Sequence, residues 1–107
     1  MSIEQRNADI RAAAKKLARE NMDDEPAVRR VYIFPSDDEI RLVEVDETVP
    51  PRRNGEGVTP FYFGAAPDVG IPFRSAIALI TPEEAETARL PDGWGDWTTA
   101  LVIEAEQ

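Results

Sequence analysis

The side chains able to do chemistry are drawn from a narrow set: 21 Asp and Glu, 12 Lys and Arg, no histidine and no cysteine. Without histidine the chain lacks the commonest general base, the commonest transition-metal ligand and every Ser-His-Asp arrangement. Without cysteine it has no thiolate nucleophile, no thiolate metal site and no disulfide. What remains for acid-base or metal chemistry is carboxylate, and the sets Asp37-Asp38-Glu39 and Glu44/Asp46 offer it in close spacing. Asp37-Asp38-Glu39 could present hard oxygen ligands to a cation, but adjacent residues in a turn rarely converge on one ion and no EF-hand spacing follows. A solvated turn is the expectation there. Glu44 and Asp46 stand two apart in an alternating segment, so they share one strand face and could pair as acid and base; a solvent-facing strand side gives the same pattern. No catalytic residue, metal or cofactor is expected.

Chemistry of recognition is better represented. Asp92-Gly93-Trp94-Gly95-Asp96-Trp97 sets two indoles among glycines and carboxylates, and Trp is favoured at binding hot spots. Trp97 is expected to start a strand and fill the core. Trp94, with Asp92 and Asp96 beside it, is expected at an exposed recognition tip. Of the eight aromatics, four fall between Phe61 and Phe73 in a stretch punctuated by proline and glycine. Tyr62, Phe73 and the adjoining Arg74 are candidate binding residues, with Phe61 and Phe63 turned inward and Tyr62 outward as the exposed handle. Clustered aromatics could line a groove or anchor an irregular loop to the core. Arg52-Arg53-Asn54-Gly55-Glu56-Gly57 resembles a phosphate cradle only superficially, because it lacks P-loop spacing and no apolar strand precedes it.

These residues need elements to position them. Ser2 with Gln5 reads as a capping box, and Ile3, Ile10, Ala14 and Leu17 fall on one stripe at helical spacing. The N-terminal segment 1–22 is therefore predicted to form an amphipathic helix over about 3–21, stopped before Pro26. Val28–Phe34 and Ile40–Asp46 are rich in β-branched residues and joined by five turn-forming ones, predicting an antiparallel hairpin. Residues 47–60 hold three of nine prolines and two of six glycines and read as a mobile loop. Phe61–Phe63 is compatible with a short strand before Gly64. Ser75–Ile80 is nearly all apolar and predicts a central strand covered on both faces; its small Ala76 and Ala78 leave room for a helix. Thr81-Pro82-Glu83-Glu84 is a capping signature predicting a short helix over about 82–89, and Trp97–Glu104 a last strand. A parallel crossover between the last two strands is sterically allowed.

The expected fold is a single α+β domain over residues 1–107. It is a two-layer sandwich of the N-terminal helix and a short second helix on a small mixed, mostly antiparallel sheet of 4–5 strands. The net charge of −9 argues against nucleic-acid or anionic-membrane binding. The charged N-terminus has no signal-peptide character, so a cytoplasmic location is expected. Within the first helix Arg11, Lys15 and Arg19 recur every four residues, forming a basic ridge that an acidic sheet surface, a second subunit or a separate partner could face. The functional expectation is a non-catalytic module, a small acidic adaptor or regulator binding another protein, a basic partner or a second copy of the chain in a homodimer being the occupants the charge pattern allows. An acidic inhibitor, antitoxin or immunity-type protein is one alternative. A small-ligand domain or enzyme using the 61–74 loop, with Arg74 clamping an anion, is the other.

Overall fold

A computed structural model of the chain describes residues 3–50 and 56–105. Helix α1 spans Ile3–Asp24, and strands β1 to β5 span Val28–Phe34, Glu39–Asp46, Phe61–Phe63, Arg74–Ile80 and Leu101–Glu104. They form one five-stranded open sheet in the order β3-β4-β2-β1-β5. β1 and β2 make the predicted antiparallel hairpin, with Val31 opposite Glu44 and Ile33 opposite Leu42. β4 lies parallel to β2, with Leu42 opposite Ile77. β3 and β5 add antiparallel strands at the two edges. The fold is α+β, a long N-terminal helix on a mixed, mostly antiparallel sheet. The last two strands, β4 and β5, are not neighbours, so the parallel pair is β2–β4 instead.

α1 buries Ile10, Ala14, Leu17 and Ala18 against Val31, Ile33, Ile40, Leu42 and Ile103. Two of those four helix positions are alanine, which lets the helix axis approach the sheet closely. Full burial of an Ile or Leu side chain contributes about 1.5–3 kcal/mol, so this seam holds the helix in place. The capping residue Ser2 lies outside the described residues, as does the Arg52–Gly55 part of the glycine-arginine loop. At the other end Glu25 N–H bonds back to the Asn21 carbonyl before Pro26 ends the run.

The opposite face of the sheet is also covered, though not by a helix. Tyr32, Phe34, Val43, Val45, Ala76, Ala78 and Ile80 pack there against Val58 and Trp94, with Ala85, Ala88, Leu90 and Trp97 alongside. The expected helix over 82–89 is a single 3-10 turn, Pro82–Glu84. Its capping box forms, with Thr81 N–H donating to Glu84 Oε1 at 2.8 Å, but Ala85 turns extended and Glu86 has φ 67°. The last carbonyls of the segment, which a helix ending at residue 89 would leave without an internal partner, are used by the tertiary fold. Ala88 O accepts from Trp97 Nε1 at 2.7 Å, and Arg89 O accepts from Val58 N–H at 2.7 Å. Val58 is thereby buried and anchored, at the end of the loop expected to be mobile. Residues 51–55 of that loop lie outside the described residues.

Two further expectations change. Trp97 does not start a strand: Asp96 caps a 3-10 turn over Trp97–Thr99, and β5 begins only at Leu101. Glu44 and Asp46 do not face solvent. Both are buried, on the α1 side near the end of the helix. There Glu44 Oε2 accepts from Asn21 Nδ2 at 2.7 Å, and Asp46 Oδ1 accepts from Thr48 N–H at 2.8 Å. No described helix is long and apolar enough to cross a membrane.

Candidate functional site

The recognition residues gather on the sheet face opposite α1, between the β3 edge and the glycine turn. In the register of β3 on β4, Phe61 and Phe63 stand opposite Ile77 and Ser75, and Tyr62 stands opposite Ala76. Opposed residues in an antiparallel pair point the same way. Tyr62 therefore projects to the face away from α1, and the two phenylalanines to the α1 side. The helix packs over β1 and β2 and does not reach them. All three rings are more than half exposed, at 67%, 56% and 51%, so the expected inward turn of Phe61 and Phe63 is not found. The reason is topological. β3 is an edge strand, and nothing among the described residues covers its outer side.

From Tyr62 a chain of charged contacts runs inward. The Arg74 guanidinium lies 5.4 Å from the Tyr62 ring centroid, and Arg74 Nε donates to Glu39 Oε2 at 2.9 Å. Arg41 Nε donates to the other oxygen, Glu39 Oε1, also at 2.9 Å. Arg41 then donates through Nη1 to the Gly93 carbonyl at 3.0 Å and lies 5.9 Å from the Trp94 ring. Glu39 is only 3% exposed. A carboxylate so buried must be paired, and here each oxygen serves one arginine. Its hydrogen bonds push the Arg74 guanidinium up, toward still firmer protonation.

Three of the six predicted binding residues, Tyr62, Arg74 and Trp94, are thus connected through Glu39 and Arg41. The others are placed differently. Phe73 is partly buried on the α1 side, packed against the helix-facing core. Asp92 is exposed on the turn. Asp96 is also exposed, but its carboxylate is occupied in capping, accepting from Thr98 N–H and Thr98 Oγ1. Trp94 is not an exposed tip. It is 3% exposed and packs 5.6 Å from the Phe34 ring, while Trp97 is partly exposed, edge-on to Tyr32 at 5.0 Å. Gly93 and Gly95 explain the inversion. Both sit at positive φ, 87° and 83°, a conformation that glycine adopts freely. The two reversals fold Trp94 back into the core.

Glu39 is the residue that sequence reasoning misses, because by spacing it belongs to the acidic turn. The turn itself closes on Ser36, whose Oγ accepts from Asp38 N–H at 3.3 Å and Glu39 N–H at 3.2 Å. The available signal was the Glu39-Ile40-Arg41 alternation, which puts the two charges on one strand face. The arrangement as a whole offers aromatic faces, a cation and free backbone at a sheet edge. That is chemistry for binding. Comparisons with protein-family models, curated proteins and solved structures found no match for this chain.

Proposed function

We propose that the protein is a non-catalytic binding module that docks another protein along the β3 edge. The observation that carries this reading is the run Phe61-Tyr62-Phe63, three consecutive aromatics each more than half exposed on an edge strand. Exposed edges invite pairing, and proteins usually blunt them with charge or proline. This one bears large apolar rings instead. A partner strand laid antiparallel to β3 would gain backbone hydrogen bonds and side-chain contacts on both faces, as in β-strand addition. It would meet Phe61 and Phe63 on one face and Tyr62 with Arg74 on the other. The net charge of −9 favours a basic partner, because complementary charge raises the association rate. A regulator or inhibitor of such a partner is the biological form this takes. A cytoplasmic setting is consistent with the absence of cysteine.

The test is capture from source cells with the wild-type chain and with Phe61→Ser/Phe63→Ser as paired baits. The proposal expects a stoichiometric basic protein retained by the wild type and lost from the variant, with both melting at nearly the same temperature. Adding the purified partner should slow hydrogen exchange at residues 61–63. Equal retention by both baits, or protection confined to another surface, would overturn it.

A further inference from the structure

A cavity of about 610 Å³ lies on the other side of the sheet, between the first half of α1 and the strands β1 and β5. It exists because α1 crosses over β1 and β2 and leaves β5 only partly covered. Leu101, on the α1-facing side of β5, is 39% exposed. Ile10, Ala14, Ile33, Phe34, Ala100 and Leu101 supply its apolar surface.

One wall of this cavity is polar in an ordered way. Asn7, Arg11 and Lys15 all line it, at intervals of four residues, so they stand in a row at roughly 6 Å spacing along the helix. The wider charge pattern gives the row its meaning. Arg30 bonds Glu104, and Arg41 and Arg74 share Glu39. Arg6 donates to the Asp37 carbonyl. Arg11 and Lys15 have no acidic partner among the described residues, although the chain carries a large excess of acid. Like charges four apart on a helix oppose one another, and among the described residues no carboxylate is paired with either. The sequence leaves the ridge open to an acidic sheet surface, a second subunit or a separate partner. The sheet's buried carboxylates, Glu44 and Asp46, are held instead by Asn21 and Thr48. The third member of the row, Asn7, has its Oδ1 buried without a hydrogen-bond partner. An orphaned acceptor of this kind is uncommon in folded proteins.

We propose that this cavity is a binding site for a small carboxylate with an apolar body. The carboxylate sits between the Arg11 guanidinium and the Lys15 ammonium, and the apolar body lies over Ile10, Ala14, Ile33 and Leu101. The volume suits a small organic molecule, since such pockets span roughly 300–1,000 Å³. Arg41 is spent on Glu39 and Gly93, and Asp37 at the far end disfavours a second negative charge, so a monoanion fits better than a dianion. This site is separate from the β3 edge, and neither reading needs the other.

The experiment titrates decanoate, decanol and decylamine into the full chain and follows backbone amide shifts. Decanoate should move signals of residues 7–15, 33–37 and 99–101 and leave 61–63 in place. It should bind roughly tenfold or more tightly than decanol, the factor expected when a charged hydrogen-bond pair is lost. Arg11→Ala/Lys15→Ala should abolish that preference while decanol binding stays unchanged. Both residues are exposed, so the variant should fold, and its amide spectrum verifies that. No shifts at millimolar decanoate would overturn the proposal. So would decanol or decylamine binding as tightly as decanoate, or the double variant keeping the preference.

Discussion

Glu44 is a carboxylate placed where its charge is disfavoured. Burial raises its pKa, opposed by the hydrogen bond from Asn21 and reinforced by the nearby carboxylates of Asp46 and Glu25. A carboxyl whose folded pKa lies above its unfolded value binds its proton more tightly in the folded state. Its stabilising contribution is therefore full below the ordinary glutamate range and is lost as pH rises through that range to the raised value. Glu44→Gln keeps an oxygen to accept from Asn21 and removes the charge. We expect the variant to match the wild type in acid, to gain on it as pH rises through the glutamate range, and to hold a constant advantage near neutrality. Thermal melts of the two proteins across that range measure the difference directly. A difference independent of pH would show that Glu44 does not titrate as its surroundings demand. Glu39 is the contrasting case, equally buried but with an arginine on each oxygen. Sequence spacing puts Glu44 on a strand face and leaves Glu39 in the acidic turn before it. Spacing reveals neither burial nor pairing, because both depend on the tertiary partner.

At the scale of elements, the glycine turn decides which indole belongs to the core. Trp94 is the more buried of the two, so Trp94→Ala should cost about 3–5 kcal/mol as a large-to-small core change. At about 4–8 °C per kcal/mol for a domain near this size, that is a drop in Tm of more than ~10 °C. Trp97→Phe keeps a ring against Tyr32 and Phe34 and loses chiefly the bond to the Ala88 carbonyl, a net effect of about 1 kcal/mol. Differential scanning calorimetry on both variants gives the order; equal losses would mean that the turn does not bury Trp94 preferentially. Local signals named the long helix and the β1–β2 hairpin correctly, because their causes are local: helical apolar spacing in one, alternation and a short turn in the other. They overextended at 82–89 and at 97–100. In the first the chain leaves helical geometry at Ala85 and reverses at Glu86, which sits at positive φ, and in the second the Asp96 cap tightens the chain before β5. The exposed aromatic strand was legible as a cluster of rings. Its place at the sheet edge was not, since strand order depends on pairings across the whole chain.

At the scale of the molecule, the dominant quantity is charge. A chain with net charge −9 disfavours the approach of a phosphate backbone within the Debye length, and nucleic-acid affinity depends chiefly on neutralising phosphates. The basic row on α1 is too short to reverse that field, since it offers Arg11, Lys15 and Arg19 on a single helix. We expect no retention of duplex or single-stranded DNA in a gel shift at ~150 mM salt. Sub-micromolar binding there would show that the row acts as a nucleic-acid surface after all. The same field does not oppose a small monoanion entering beside Arg11 and Lys15, because local contact outweighs screened repulsion from more distant charges.

The position of β5 also governs the timing of synthesis. Arg30 on β1 and Glu104 on β5 are joined by a salt bridge yet lie 74 positions apart in the chain. At roughly 5–20 residues per second on the ribosome, the outer edge of β1 waits roughly 4 to 15 s for the strand that completes it. During that interval the hairpin can form, and α1 can settle on it, while Val31 and Ile33 still lack the neighbour that later closes over them. The nascent sheet is thus open first at the edge that the finished molecule keeps shut.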